Sequence, residues 1–135
     1  MARLIDASVF IELERRGELI EALDRMVSGE PFALGSITAS ELLFGVHRTV
    51  TDLQRQRRSE FVETVLSRVP VLPFDLEAAR TLARISAELT ITGQSIGTFD
   101  LIVAATALAR DYDVVTHNLR HFERIPGLVV HHPRG

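Results

Sequence analysis

Short apolar runs alternate along this chain with longer segments of helical period, and that alternation restricts the possible folds more than any other feature. Residues 2–6 read as a buried strand, and Pro31 to Leu34, Val69 to Leu72, Val114 to Thr116 and Leu128 to Val130 read as four more. Pro70 removes a ladder donor from the third, which suits an edge position. Between the strands lie helical stretches. Ala7 to Glu14 opens the first, and Leu19, Ile20, Leu23, Met26 and Val27 share a face of the next, which Ser28-Gly29 ends. Ser36 or Thr38 is expected to cap a helix carrying Leu42, Leu43 and Val46. Thr51-Asp52 opens a polar helix whose apolar face resumes at Phe61, Val62, Val65 and Leu66. Asp75 caps a stripe of Ala78, Leu82, Ile85 and Leu89. After a loop from Gly93 to Gly97, Thr98 opens a helix that is apolar nearly all round, which suits a central position. Strands alternating with helices predict an α/β fold: a three-layer α/β/α sandwich around a central, mainly parallel sheet of four to five short strands. With 135 residues the chain suffices for one such domain, residues 1–135, and not for two.

Composition removes several chemistries. The chain has no cysteine, so thiol nucleophiles, cysteine–zinc sites and disulfides are out. All 15 basic residues are arginine, which excludes a P-loop lysine and a Schiff-base lysine. The formal net charge is -3, so attraction to a nucleic acid would need a local arginine cluster or a bound cation. The longest apolar run, "DLIVAATALA", is too short to span a bilayer, and no secretory signal opens the chain. A cytoplasmic protein without a membrane partner is the expectation.

In parallel sheets of this kind the ligand site lies outside the C-terminal strand ends. Asp6 and the run Thr116-His117-Asn118 both follow strands and belong to that edge. Glu41, in "TASELLFGV", and Asp100, in "IGTFDLIVAA", sit in helices expected to begin there. Three carboxylates from distant parts of the chain then converge. At about 5 Å and an effective dielectric near 20, each pair repels by roughly 3 kcal/mol. Such a cluster raises its own proton affinity or recruits a cation, and without cysteine or clustered histidine the choice falls on Mg²⁺ or Mn²⁺. Each residue also has a plainer reading. Asp6 would cap the following helix, Asp100 would be a first-turn aspartate favoured by the helix dipole, and Glu41 would be a surface glutamate. Asn118 would be a turn residue.

Other residues weigh less. His117 and His121 are four apart, but no third ligand accompanies them, so they read as surface or site-rim residues. His131 and His132 read as exposed. Arg55, Arg57 and Arg58 form a basic run that serves equally as a solvated face or a contact for RNA or a partner. Asp75, Asp111 and Asp113 read as caps or turn residues, and Phe32, Phe44, Phe61 and Phe74 as core.

The segments "LIDASVFI", "ITASELLFGV", "GQSIGTFDLIVAATAL" and "VVTHNLRHFERIPGL" together resemble the PIN-domain ribonucleases, in their order and spacing. The match is closest to the VapC-type toxins of bacterial toxin–antitoxin pairs and covers essentially the whole chain. The resemblance implies a PIN-like sandwich and Mg²⁺- or Mn²⁺-dependent cleavage of RNA. It implies a catalytic set of Asp6, Glu41, Asp100 and Asn118, with the metal on Asp6 and Asp100. Asn118 stands where many PIN domains carry a fourth aspartate, and Ser8 and Thr116 match the hydroxyls that accompany the acids. It further implies a cognate VapB-type antitoxin and a homodimer. The antitoxin is expected in a groove between the helix near residues 8–27 and the helix near residues 51–68.

Rival classes are tested on the same residues. A haloacid-dehalogenase-like phosphatase needs a second aspartate two residues after the first, where this chain has Ser8, and a lysine it lacks. A receiver domain also needs a lysine. A non-catalytic PIN-like interaction module would not need all of Asp6, Glu41 and Asp100. A metal-dependent nuclease acting on DNA stays open.

Overall fold

The computed structural model describes residues 1–134. In chain order the elements are β1 (Arg3–Ile5), α1 (Ala7–Arg15), α2 (Ala22–Met26), β2 (Phe32–Gly35), α3 (Ser36–His47) and α4 (Asp52–Arg68). They continue with β3 (Val71–Leu72), α5 (Leu76–Ile91), α6 (Thr98–Ala109), β4 (Asp113–Val115), α7 (Leu119–Phe122) and β5 (Val130–His131). The strands form one sheet in the order β3-β2-β1-β4-β5, and every pairing is parallel. The expected α/β sandwich is therefore present, with β3 at an edge. The chain builds outward from β1 to β3, then crosses to the other side of β1 to make β4. That reversal opens a crevice between the C-terminal ends of β1 and β4.

Strand periodicity divides the interior into two cores. Ile5, Leu34 and Val115 face one side and pack with Val9, Phe10 and Leu13 of α1 and Val62 and Val65 of α4. Leu4, Ala33 and Val114 face the other and pack with Ile85 of α5, Val103 and Ala104 of α6 and Phe122 of α7. Burial on both faces is why these strands read as continuous apolar runs rather than as alternating ones. Among the described residues, no helix is long and apolar enough to cross a membrane.

Several boundaries and placements differ from expectation, each for a local reason. The third strand begins at Val71, because Val69 closes α4 by donating to the Val65 carbonyl and the Pro70 carbonyl accepts from Leu34 N–H. The stretch from Leu19 to Val27 is only partly helical: α2 starts at Ala22, and Leu19 is 74% exposed. The fifth strand lies later than expected, after a turn through Gly127 at φ +80°. Thr51 and Asp75 do cap, accepting from Gln54 and Ala78 N–H, but neither Ser36 nor Thr38 caps α3, whose N-cap position is Gly35.

Phe44 and Phe74 are exposed rather than core. The α3 stretch around Phe44 is apolar on several faces, so its period does not select the buried one. Asp113 is neither a cap nor a turn residue. It is buried in β4 and lies 2.8 Å from His131 Nε2, so His131 is half-buried rather than free. Register explains the pair: Val115 is opposite His131, and Asp113, two residues back, points to the same face.

Phe10 is fully buried where α1 meets the sheet. Phe10→Ala is expected to cost about 3–5 kcal/mol in urea unfolding. A loss under about 1 kcal/mol would show that α1 is not packed in this way.

Candidate acidic site

Asp6 takes the N-cap position of α1 with extended backbone (φ -75°, ψ 154°), yet its side chain caps nothing. It is only 5% exposed. Its Oδ2 accepts from Ser8 Oγ at 2.9 Å and from Thr116 Oγ1 at 2.8 Å. Each hydroxyl has a single proton, and both are spent on Asp6, so the 3.2 Å approach of Ser8 Oγ to Thr116 Oγ1 is a contact between acceptors. The hydroxyls are oriented in turn by the chain after β4. His117 N–H donates to Ser8 Oγ at 3.1 Å, and Asn118 N–H donates to Thr116 Oγ1 at 2.9 Å. Donation therefore runs one way, from backbone to hydroxyl to carboxylate. Asn118 takes part through its backbone, while its side chain is exposed at the rim.

Glu41 and Asp100 come to the same pocket from α3 and α6. Burial and then the charges of Asp6 and Asp100 push the Glu41 carboxyl from 4.5 up to about 7. Burial and then Asp6 also raise Asp100, which His121 partly opposes. The structure thus brings Asp6, Glu41 and Asp100 within reach of one another's fields. Among the described residues, no three His, Asp or Glu side chains close into a set that would hold an ion without other donors.

The histidines divide. His121 Nδ1 lies 3.0 Å from Asp100 Oδ2, a contact that the sequence reading did not assign. Its signal was the three-residue step from Asn118, which returns to the same face of a short helix. His117 packs edge-on against His132 with ring centroids 5.0 Å apart. Burial and then the neighbouring His132 lower its proton affinity.

An open parallel sheet with an acidic pocket at its switch point defines a class of phosphodiester-handling α/β proteins, and comparison with known proteins gives the family. The PIN domain family model matches residues 3–128. Ribonuclease VapC1 of Rickettsia felis is 36% identical over 130 residues, spanning 96% of this chain and 95% of the relative. The tRNA(fMet)-specific endonuclease VapC of Salmonella typhimurium is 41% identical over 95 residues, 70% of each chain. Among solved structures, DNA-bound VapBC from Salmonella typhimurium superposes with a TM-score of 0.86 at 31% identity, covering 98% of both chains. The chain belongs to the PIN-domain family, and within it to the VapC ribonucleases, the toxins of VapBC toxin–antitoxin pairs.

The raised carboxyl of Glu41 has a consequence for stability. In the folded protein it keeps its proton to about pH 7, and its model value when unperturbed is 4.5. Its contribution to stability is therefore full below about pH 4.5 and is lost as pH rises to 7. In metal-free protein, Glu41→Gln is expected to melt above wild type at pH 7.5, by on the order of 1–2 kcal/mol once half-exposure is discounted. The difference should vanish near pH 4. Equal stability at both pH values would show that Glu41 is not under this strain.

Proposed function

We propose that this protein is a divalent-cation-dependent endoribonuclease and the toxin half of a VapBC-type pair, with Asp6 and Asp100 as the residues that hold Mg²⁺ or Mn²⁺. The observation that carries this reading is Asp6 itself: a buried carboxylate, braced by two hydroxyls and turned away from the helix it precedes. The donor set fits a hard cation. It consists of oxygens without cysteine, and its carboxylates raise one another's proton affinity, which a cation would relieve. Such ions commonly take one or two carboxylates and fill their remaining positions with water and substrate phosphate, so a closed protein cage is unnecessary.

When bound, the ion would supply an acidified water and positive charge against the scissile phosphate. The rest belongs to the chain. Ser8 and Thr116 occupy Asp6 Oδ2 and leave Oδ1 for the cation. Glu41, with a proton affinity near neutrality, accepts the proton of the attacking water. Asn118 hydrogen-bonds a water or a phosphate oxygen without adding negative charge. RNA is the substrate class, and the cytoplasm the place where this chain would meet it.

The partner reading rests on a groove. One cavity of about 380 Å³ lies between the α2 region and α4, lined by Leu19, Ile20, Phe61 and Val65 with Glu21 and Arg68 at its edge. A second, of about 150 Å³, shares Phe61 and ends on Glu41. An antitoxin segment laid along it would bury apolar side chains and bring a cation of its own to the acidic pocket.

Asp6→Asn and Asp100→Asn are each expected to lower metal-dependent RNA cleavage by more than about 100-fold with the fold retained by circular dichroism. Full activity of either variant on RNA, or a preference of the wild type for DNA, would overturn the assignment. Leu19→Glu is expected to weaken antitoxin binding about tenfold or more in a calorimetric titration while cleavage stays within about twofold of wild type. Sedimentation of the free chain before that titration should give a homodimer. Unchanged antitoxin affinity would remove the groove from the interface.

A further inference from the structure

His121 stands at the mouth of the acidic pocket, and the proposed function leaves it without a role. Phe122, the next residue, is fully buried in the core beneath α7 and fixes the short helix in place. His121 is thereby turned outward, with its side chain 55% exposed. Its Nδ1 is 3.0 Å from Asp100 Oδ2. Both side chains border a cavity of about 290 Å³ that Ser95, Gly97 and Arg124 complete.

The separation of these two atoms is informative. Adjacent ligand atoms of an octahedral ion with bonds of about 2.1 Å lie about 3.0 Å apart. The imidazole nitrogen and the carboxylate oxygen already have that spacing, bridged here by a hydrogen that a cation would replace. Exposure of His121 leaves space for the water that would complete the shell. The carboxylates alone do not enclose an ion, so a further protein donor would strengthen the site.

We propose that His121 is a direct ligand of the cation through Nδ1, beside Asp100, and that this imidazole biases the site toward Mn²⁺ over Mg²⁺. The inference rests on the divalent-cation reading of the acidic pocket. Mg²⁺ takes oxygen donors and gains little from nitrogen, whereas Mn²⁺ accepts carboxylate and water and stands on the transition-metal affinity series for nitrogen donors. Zn²⁺ gains less from this arrangement, because it asks for three or four protein ligands and none closes the set here.

The test uses the full chain with Mn²⁺ as the probe. Electron spin-echo spectra of the stoichiometric Mn²⁺ complex should carry the modulation of a directly coordinated ¹⁴N. His121→Gln should lose it, and Asp100→Asn should weaken Mn²⁺ binding itself. By calorimetry His121→Gln should weaken Mn²⁺ by about tenfold or more and Mg²⁺ by no more than about twofold. Because His121 is exposed, the variant should melt with the wild type. If Mn²⁺ binds and Asp100→Asn weakens it, but the wild type shows no ¹⁴N modulation or His121→Gln keeps it, the ligand proposal is overturned and the cation site stands. If Mn²⁺ does not bind, or binds with no dependence on Asp6 or Asp100, both fall.

Discussion

A carboxylate buried at the switch point of a parallel sheet is the constraint on which the rest of this structure turns. Left alone, Asp6 would be costly to bury. It is tolerated because β1 and β4 pair in a register that sets Ile5 opposite Val115 and lets Asp6 N–H donate to the Val115 carbonyl at 2.9 Å. The next residue of the β4 segment, Thr116, then meets the Asp6 carboxylate, and Ser8 reaches it from one turn into α1. A slip in that register by one residue would turn Leu4 and Ile5 to the wrong cores and take Thr116 away from Asp6 together. Core packing and site geometry are one constraint seen from two sides.

The site is also where the fold is under electrostatic tension. Asp6, Glu41 and Asp100 are held by three different elements, and burial adds to the repulsion among them. The two apolar cores hold those elements in place, with Phe10 on one side of the sheet and Phe122 on the other. His121 opposes part of the strain on Asp100. A pocket built this way favours any positive charge of the right size, whether a metal ion or a basic side chain from a partner. On the partner reading, a groove that ends on Glu41 and an acidic pocket that attracts cations form one continuous surface.

The tail after β4 shows how the site's surroundings are secured. His131 pairs with buried Asp113, and its carbonyl accepts from Thr116 N–H at 3.0 Å. Arg134 N–H reaches the Met26 carbonyl at the end of α2. The segment that carries Thr116 and Asn118 is thus tied on its far side by β5.

The order of elements, the parallel sheet and the convergence of Asp6, Glu41 and Asp100 were legible in the sequence. Apolar runs of strand length, helices with one apolar stripe and acids placed just after strands are local patterns that survive into the fold. Where a helix is apolar on several faces, as around Phe44 in α3, period carries no direction, and only packing chose which face to bury. Asp113 with His131, and Asp100 with His121, are pairs 18 and 21 residues apart, joined by register and by the seating of a short helix. Tertiary structure alone decided them. The sequence by itself determined which residues carry charge, polarity or apolar bulk, and in what rhythm. Which of them touch depends on the closing of two cores around one sheet, because a contact between distant residues is a property of the packed chain and not of any window along it.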